Sequence, residues 1–184
     1  MTINYRFLPW IGSNYFSDGL YGKKILILGE SHYISTPVSD HFTIEIIENQ
    51  INNKQVVKFF NKIERLLSNH EQTFHMSQTD RDNFWNKVVF YNYIQEPFNK
   101  PRGKVLPSHW NNPQTINCFH DVIEETNPDI LIIFGKRLGQ NIKHPLHYNY
   151  KIFQFMHPSS LFFRFRDIRK ILENENFFSQ YTKV

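Results

Sequence analysis

Reactive side chains follow four apolar segments of this sequence, at the point where each segment ends. KILIL runs into GESHY (residues 29–33), and KVVFY runs into Asn92. DILIIF runs into GKR (residues 135–137), and KIFQF runs into HPSSL (residues 157–161). Carboxylate, imidazole, amide and guanidinium groups in such loops can perform acid–base and electrostatic catalysis. Since ligands of open α/β sheets bind at the carboxyl ends of the strands, the sequence predicts one cleft formed by all four loops.

Short apolar segments alternate with helical patterns along the chain. Each short apolar run is typical of a buried parallel strand, and these predicted strands cover residues 24–28, 87–91, 129–134 and 151–155. Parallel strands joined by right-handed helical crossovers place helices on both faces of a sheet. The sequence therefore predicts an α/β fold with three α/β/α layers and a central four-stranded parallel sheet, in a single domain over residues 1–184.

Helices are predicted from apolar spacing and from capping residues. An apolar helical face begins at Val56, and Thr79 with Asp82 suggests a capping box at the start of a helix. Asn112-Pro113 combines an N-cap residue with proline at the first helical position. The two remaining predicted helices cover residues 136–141 and about 161–173. Residues 30–42 and 93–112 are expected to form loops.

The composition indicates one globular domain. Aromatic residues make up 16% of the 184 residues, which argues against disorder. The sequence has no apolar run near the ~20 residues that span a bilayer, and no signal-peptide pattern at its start. The single cysteine, Cys118, excludes a disulfide framework and a cysteine-ligated iron–sulfur cluster. We therefore expect a cytoplasmic, monomeric protein that does not associate with membranes.

Metal binding is not expected. His144-x-x-His147 has the spacing of a metal-binding pair, but no cysteine or acidic residue lies nearby in the sequence and Pro145 would break a helix. The expected chemistry is therefore independent of metals and of cofactors.

Positive charge is concentrated between residues 136 and 170. This stretch holds eight Lys and Arg residues against one acid, Asp167, although the net charge of the whole chain is only +4. Phosphate backbones require a concentrated basic face, whereas the alternative interpretation is an ordinary solvated surface. Because the stretch includes the HPSSL loop, we favour the phosphate-binding interpretation.

Each reactive residue also has a purely structural interpretation. Glu30 and Ser31 could form a turn after a strand, and Asn92 could bond its own backbone. His157 could be a structural histidine, and the two serines of HPSSL could be N-caps of the last helix. All four loops would have to be structural for the catalytic interpretation to fail.

The four loops resemble the signature motifs of the uracil-DNA glycosylase superfamily. GESHY is similar to the GQDPY(H) loop of its best-known branch, and Phe90-Tyr91-Asn92 stands where that branch has LLLN. Phe134-Gly135-Lys136 is similar to the WG or LG that precedes a short basic helix, and HPSSL resembles HPSPLS. The order and strand context agree over about residues 24–170. The resemblance implies a metal-independent DNA N-glycosylase, a hydrolase that flips a pyrimidine, uracil first among the candidates, out of DNA.

One position departs from that branch. Ser31 stands where the branch has its water-activating Asp, and the adjacent Glu30 is similar to the Gly-Glu that begins this loop in another branch. Members of that other branch usually carry an iron–sulfur cluster, which a single cysteine cannot hold. Three interpretations remain: Glu30 supplies the carboxylate, the chemistry needs none, or the protein binds without cleaving.

The resemblance also implies roles in a base pocket. Glu30 would stabilise the oxocarbenium-like sugar and position water, while His157 would donate a hydrogen bond to the leaving base. Asn92 would read the edge of the pyrimidine with its amide. Phe42 is the candidate for stacking on the base, and Tyr33 would lie against C5 of the pyrimidine and exclude a methyl group there.

The remaining candidates are expected to contact DNA outside the base pocket. Leu161 would fill the gap left by the extruded nucleotide. DNA contacts are expected from seven polar or basic residues: Ser31, Lys136, Arg137, Ser159, Ser160, Arg164 and Arg166. Among these, Ser159, Arg164 and Arg166 would bind phosphates on either side of the flipped nucleotide.

Three functions are compatible with the sequence. The first is excision of uracil from DNA, and the second is excision of a modified pyrimidine, for example one in foreign DNA. The third is a non-catalytic module that binds DNA or nucleotides with the same cleft. A setting in DNA repair and a setting in defence both remain open.

Overall fold

A five-stranded, mostly parallel sheet forms the centre of the molecule. The computed structural model describes residues 6–34, 39–98 and 105–179. The strands, in spatial order β1-β3-β2-β4-β5, are β1 (Trp10–Ile11), β2 (Ile25–Gly29), β3 (Val88–Asn92), β4 (Ile130–Phe134) and β5 (Lys151–Phe155). Strands β2 to β5 are parallel. The predicted α/β class is confirmed, and each predicted parallel strand lies within one residue of its observed bounds.

The prediction of four strands was wrong by one. β1 pairs antiparallel with β3, with Trp10 opposite Phe90 and Ile11 opposite Val89. A two-residue strand is too short to show the alternation or the apolar run by which strands are recognised in a sequence. β1 lies at the edge of the sheet, beside β3.

Seven helices are formed by the described residues. They are α1 (Phe42–Ile51), α2 (Lys58–Leu67), α3 (Gln78–Trp85), α4 (Pro107–Trp110), α5 (Pro113–Thr126), α6 (Lys136–Asn141) and α7 (Phe165–Asn174). None of them is long and apolar enough to cross a membrane. Two were not predicted: α1, and the single turn α4 inside the segment expected to be a loop.

Three predicted helix starts are corrected by the structure. The capping box of α3 uses Ser77 and Asp80, whose side chains and backbone amides bond reciprocally, rather than Thr79 and Asp82. Val56 precedes α2 and is 43% exposed, so it is not part of the buried face of that helix. The last helix begins at 165 instead of 161, because the HPSSL segment forms turns.

Two apolar clusters cover the two faces of the sheet. Successive side chains of β2 point to opposite faces: Ile25 and Ile27 belong to the first cluster, and Leu26 and Leu28 belong to the second. Helices α1, α2, α3 and α7 contribute to the first cluster, and α5 contributes to the second. Burial on both faces explains why β2, β3 and β4 are continuously apolar. The result is the expected three-layer arrangement.

A buried carboxylate joins three helices of the first cluster. Glu64 of α2 accepts hydrogen bonds from Gln50 of α1 (2.8 Å) and Trp85 of α3 (2.7 Å), and Arg81 Nε lies 3.3 Å from its second oxygen. Burial raises the pKa of Glu64. This network holds α2 in place, and α2 carries Phe59 to the carboxyl end of the sheet.

Candidate functional site

One cleft, with a volume of about 880 Å³, lies at the carboxyl ends of the four parallel strands. The loops after all four strands line it, as the parallel topology requires. It includes eleven of the thirteen residues singled out in the sequence: Glu30, Ser31, Tyr33, Phe42, Asn92, Lys136, Arg137, His157, Ser159, Ser160 and Leu161. Arg164 and Arg166 lie outside the lining, at the start of α7.

Glu30 is held by two neighbours. Arg137 Nε donates to one carboxylate oxygen at 3.0 Å, and an Arg137 terminal nitrogen donates to the other in a bidentate pair. Tyr33 donates its hydroxyl to Glu30 at 2.7 Å. Burial and the bond to Glu30 raise the pKa of Tyr33, and the same carboxylate raises the pKa of Arg137. Glu30 is therefore a fixed carboxylate whose side chain is only 13% exposed.

The Arg137 guanidinium was expected to contact DNA, but the structure directs it at Glu30. Its central carbon also lies 6.0 Å from the ring of Trp110, a cation–π contact on the side of the second apolar cluster. Ser31 likewise has a protein partner, because its hydroxyl donates to the Glu96 carbonyl at 2.6 Å. Both residues build the wall of the cleft.

Buried polar residues form the floor beneath this wall. The Asn92 amide nitrogen lies 3.1 Å from Nε2 and 3.3 Å from Nδ1 of His32, and the same Nε2 lies 2.9 Å from the Thr43 hydroxyl. A Cβ on Gly29 would fall 2.2 Å from the Asn92 side-chain oxygen, so a larger residue at position 29 would displace the Asn92 amide. The Asn92 amide is thus oriented by His32 at the exits of β2 and β3.

Burial lowers the pKa of His32 to about 4, so the ring is neutral near pH 7. In the unfolded chain the His32 ring is protonated as the pH falls below about 6.5. In the folded protein the ring stays neutral until the pH approaches 4. Stability is therefore fully present above pH 6.5 and falls as the pH is lowered towards 4.

From this linkage we expect acidification from pH 7.5 to 5 to remove about 2 kcal/mol of stability through His32 alone. Urea unfolding at both pH values, for the wild type and His32→Gln, isolates this contribution. The variant should lose about 2 kcal/mol less than the wild type over this range. Equal losses in the two proteins would show that His32 is protonated as readily in the folded state as in the unfolded chain.

His157 leaves β5 with its ring orientation set by the backbone. The Ser159 amide donates to Nδ1 at 3.1 Å, so in the neutral ring the proton resides on Nε2. The ring packs on Phe59 of α2 at a centroid distance of 5.0 Å. Lys62 of α2 donates to the Pro158 carbonyl at 2.6 Å. The HPSSL loop is therefore supported by α2 and presents an exposed histidine to the cleft.

Two large apolar side chains protrude beside His157. Leu161 is 99% exposed and Phe162 is 72% exposed. The Phe162 amide donates to the Ser160 hydroxyl at 3.1 Å, and the Phe163 amide donates to the Ser160 carbonyl at 3.1 Å. These turns explain why Ser160 does not cap a helix. Leu161 is thus not a core residue, and it lies on the rim of the cleft.

The basic stretch is less available to a ligand than its sequence suggested. Arg137 pairs with Glu30, Lys151 pairs with Glu175, and Arg169 pairs with Glu71 and Glu173. Arg164 lies 4.0 Å from Asp167, although both side chains are largely exposed. Acids distant in the sequence supply most of these partners, so counting charges within residues 136–170 could not reveal them. Lys136 is an exposed cation that lines the cleft.

Several residues of the site cannot be assigned from the sequence patterns. These patterns give no role to His32 of the GESHY motif, nor to Thr43, Phe59 and Phe162. The spacing of Phe42, Ile46 and Asn49 fits one face of a helix, and this signal could have revealed the contribution of α1.

Comparison with protein-family models and with curated protein sequences gives no match for this chain. Its function is therefore inferred from the geometry of the cleft and from the motifs themselves.

Proposed function

We propose that this protein is a DNA glycosylase of the uracil-DNA glycosylase superfamily that flips a pyrimidine into the cleft and hydrolyses its N-glycosidic bond. The observation that carries the proposal is the convergence of Glu30, Asn92 and His157 on one cleft with the exposed Leu161 at its rim. A carboxylate, an amide, a histidine donor and an apolar wedge are the groups that base extrusion and glycosidic cleavage require. We place this activity in the cytoplasm, without metal or cofactor.

The reaction assigns a separate task to each group. The bond between C1′ and the base nitrogen breaks, and its electron pair remains on the base. His157 donates from Nε2 to the base oxygen on which negative charge develops. Glu30 stabilises the positive charge on the sugar, water then adds to C1′, and the departing base anion takes up the proton that this water releases. The products are a free base and an abasic site.

A DNA-binding titration and a base-excision assay on the same duplexes test the proposal. Labelled duplexes with one central uracil, thymine or 5-substituted pyrimidine are incubated with the protein, treated with alkali and resolved by size. The proposal predicts alkali-labile sites at uracil in duplexes that the protein also binds. Binding with no alkali-labile site at any pyrimidine would refute the glycosylase assignment.

Glu30→Gln should slow single-turnover excision at least ~10-fold, because a neutral amide lacks the negative charge of the catalytic carboxylate. DNA binding should change little, because Glu30 is mostly buried under Arg137 and Tyr33. Glu124→Gln, on the exposed side of α5, is the matched control and should retain the wild-type rate. Full activity of Glu30→Gln would show that the carboxylate has no catalytic role.

DNA binding should depend on salt through Arg164 and Arg166, which are exposed at the start of α7. Replacing both with Ala should weaken binding and reduce the slope of log K against log salt by roughly 1 for each phosphate that is no longer neutralised. Arg169→Ala is the control on the same helix, because Arg169 already pairs with Glu71 and Glu173. An unchanged slope in the double variant would contradict a phosphate-binding role.

One observation favours a non-catalytic binding module as the second candidate. Both oxygens of Glu30 already accept hydrogen bonds from Arg137 and Tyr33, which leaves the carboxylate less available to water than a general base should be. A wild-type protein that binds uracil-containing DNA without releasing any base would establish this alternative.

A further inference from the structure

Helix α1 forms one wall of the cleft. Phe42, Glu45, Ile46 and Asn49 lie at helical spacing and line the cleft, whereas Ile47 and Ile51 on the opposite side enter the first apolar cluster. We call these four residues the α1 wall. Of the four, only Phe42, the candidate for stacking on the base, has a role in the proposed function. The α1 wall therefore enlarges the cleft beyond the groups that act on a base and sugar.

The α1 wall combines two polar residues, of which Glu45 is an acid, with the apolar Phe42 and Ile46. Glu45 is exposed and accepts a hydrogen bond from the Ser39 hydroxyl at 2.8 Å, so its carboxylate lies among polar groups. Asn49 one turn later adds an amide, and Gln55 beyond the helix adds another. The helix contains two Glu and neither Lys nor Arg. A phosphate backbone would be repelled here, whereas hydroxyl groups could donate to Glu45 and bond both amides.

The α1 wall begins beside the residues that would read the base. The Phe42 ring meets His32 edge to face at a centroid distance of 5.0 Å, and His32 in turn contacts Asn92. A substituent on a base that is bound to Asn92 could therefore contact the α1 wall. Since the cleft lies near the upper end of the roughly 300–1,000 Å³ typical of sites for drug-sized ligands, it exceeds the needs of a bare pyrimidine.

Tyr33, expected to exclude groups at C5, is held on the other side of the cleft. Its hydroxyl donates to Glu30, and its ring lies 6.1 Å from that of Phe98. Phe98 packs on the second apolar cluster, whereas α1 packs on the first, so the two walls belong to opposite faces of the sheet. Tyr33 therefore does not form part of the α1 wall.

We propose that the α1 wall is a subsite for an uncharged, hydroxyl-rich substituent, such as a sugar, carried by the flipped pyrimidine. The inference rests on the proposed function and specifies its substrate class: a bulky modified base is preferred to uracil. Glu45 and Asn49 determine this preference by hydrogen bonding, and Ile46 contacts the apolar face of the substituent.

Six duplexes test the subsite. They carry uracil, 5-hydroxymethyluracil or 5-(glucosyloxymethyl)uracil at one position, or the three corresponding cytosines. Base release under single-turnover conditions and duplex affinity are both measured for the wild type, Glu45→Gln and Asn49→Ala. The matched control is Glu48→Gln, the same substitution on the exposed face of α1.

The glucosylated base should be released at least about tenfold faster than its unmodified parent, the gain expected from one hydrogen bond to a charged group. Glu45→Gln should reduce that ratio roughly tenfold and Asn49→Ala roughly threefold, while Glu48→Gln leaves it unchanged. Faster release of uracil, or a ratio unaffected by Glu45→Gln, would overturn the subsite and leave the glycosylase intact. Glucosyl-dependent affinity without base release would support the subsite and refute the glycosylase. Equal affinity for all duplexes without release would refute both.

Discussion

His157→Ala should lower the single-turnover rate of base release by roughly 10²–10³, the loss expected when one preorganised donor to a developing anion is removed. The expected loss is large because Ser159 holds Nδ1 and thereby commits the neutral ring to donate from Nε2. The ring also rests on Phe59, so little reorganisation is needed when charge develops on the base. DNA affinity should change by less than about threefold, because the interaction strengthens only in the transition state.

His147→Ala is the control for this experiment. His147 is another exposed histidine of the basic stretch, and it lies outside the cleft. Its removal should leave both the rate and the affinity unchanged. If His157→Ala weakens binding as much as it slows release, His157 contributes uniform binding energy and is not the donor to the leaving group.

Leu161→Ala should reduce excision from duplex DNA roughly 10- to 100-fold more than excision from single strands. Extruding a nucleotide from a duplex costs a few kcal/mol, and a side chain that fills the gap offsets part of that cost. Leu161 can perform this task because it is 99% exposed on the rim of the cleft. A single strand has no stack to open, so the wedge has little effect there.

Leu146→Ala provides a matched control, since Leu146 is 95% exposed but lies outside the cleft. Leu146→Ala should leave the excision rate unchanged on both duplex and single-stranded DNA. Equal reductions on duplex and single-stranded DNA in Leu161→Ala would show that Leu161 supports the HPSSL loop instead of entering the base stack. Phe162 is also exposed and can supply part of the wedge in Leu161→Ala. The double variant Leu161→Ala, Phe162→Ala should therefore show a larger difference between duplex and single-stranded excision than Leu161→Ala alone.

The position of the cleft could be predicted from the sequence because parallel strands share one carboxyl edge. Once KILIL, KVVFY, DILIIF and KIFQF are assigned as strands, the loops that follow must converge. Continuous apolar runs made those strands recognisable, since both faces of β2, β3 and β4 are buried. The cap at Asn112 with Pro113 was also recovered, because it depends only on neighbouring residues.

The partners of the reactive groups could not be predicted, because they are distant in the chain. The pair between Glu30 and Arg137 spans 107 residues, and no local pattern signals it. His32 has the pattern of a polar loop residue, yet it is 6% exposed beneath Phe7 and Phe42. The neutralisation of Arg169 by Glu71 depends on the same kind of distant contact. Such contacts determine whether a side chain of a motif is free to bind a ligand, and the sequence of the motif does not reveal them.

Mass spectrometry of free base and abasic sites, formed from a pyrimidine-modified duplex with excess protein, decides whether the protein cleaves the N-glycosidic bond. We expect the two products in equal amounts, at a rate that falls at least ~10-fold in Glu30→Gln and roughly 10²–10³ in His157→Ala. A wild-type protein that bound the same duplexes and released no base from any of them would contradict the glycosylase assignment.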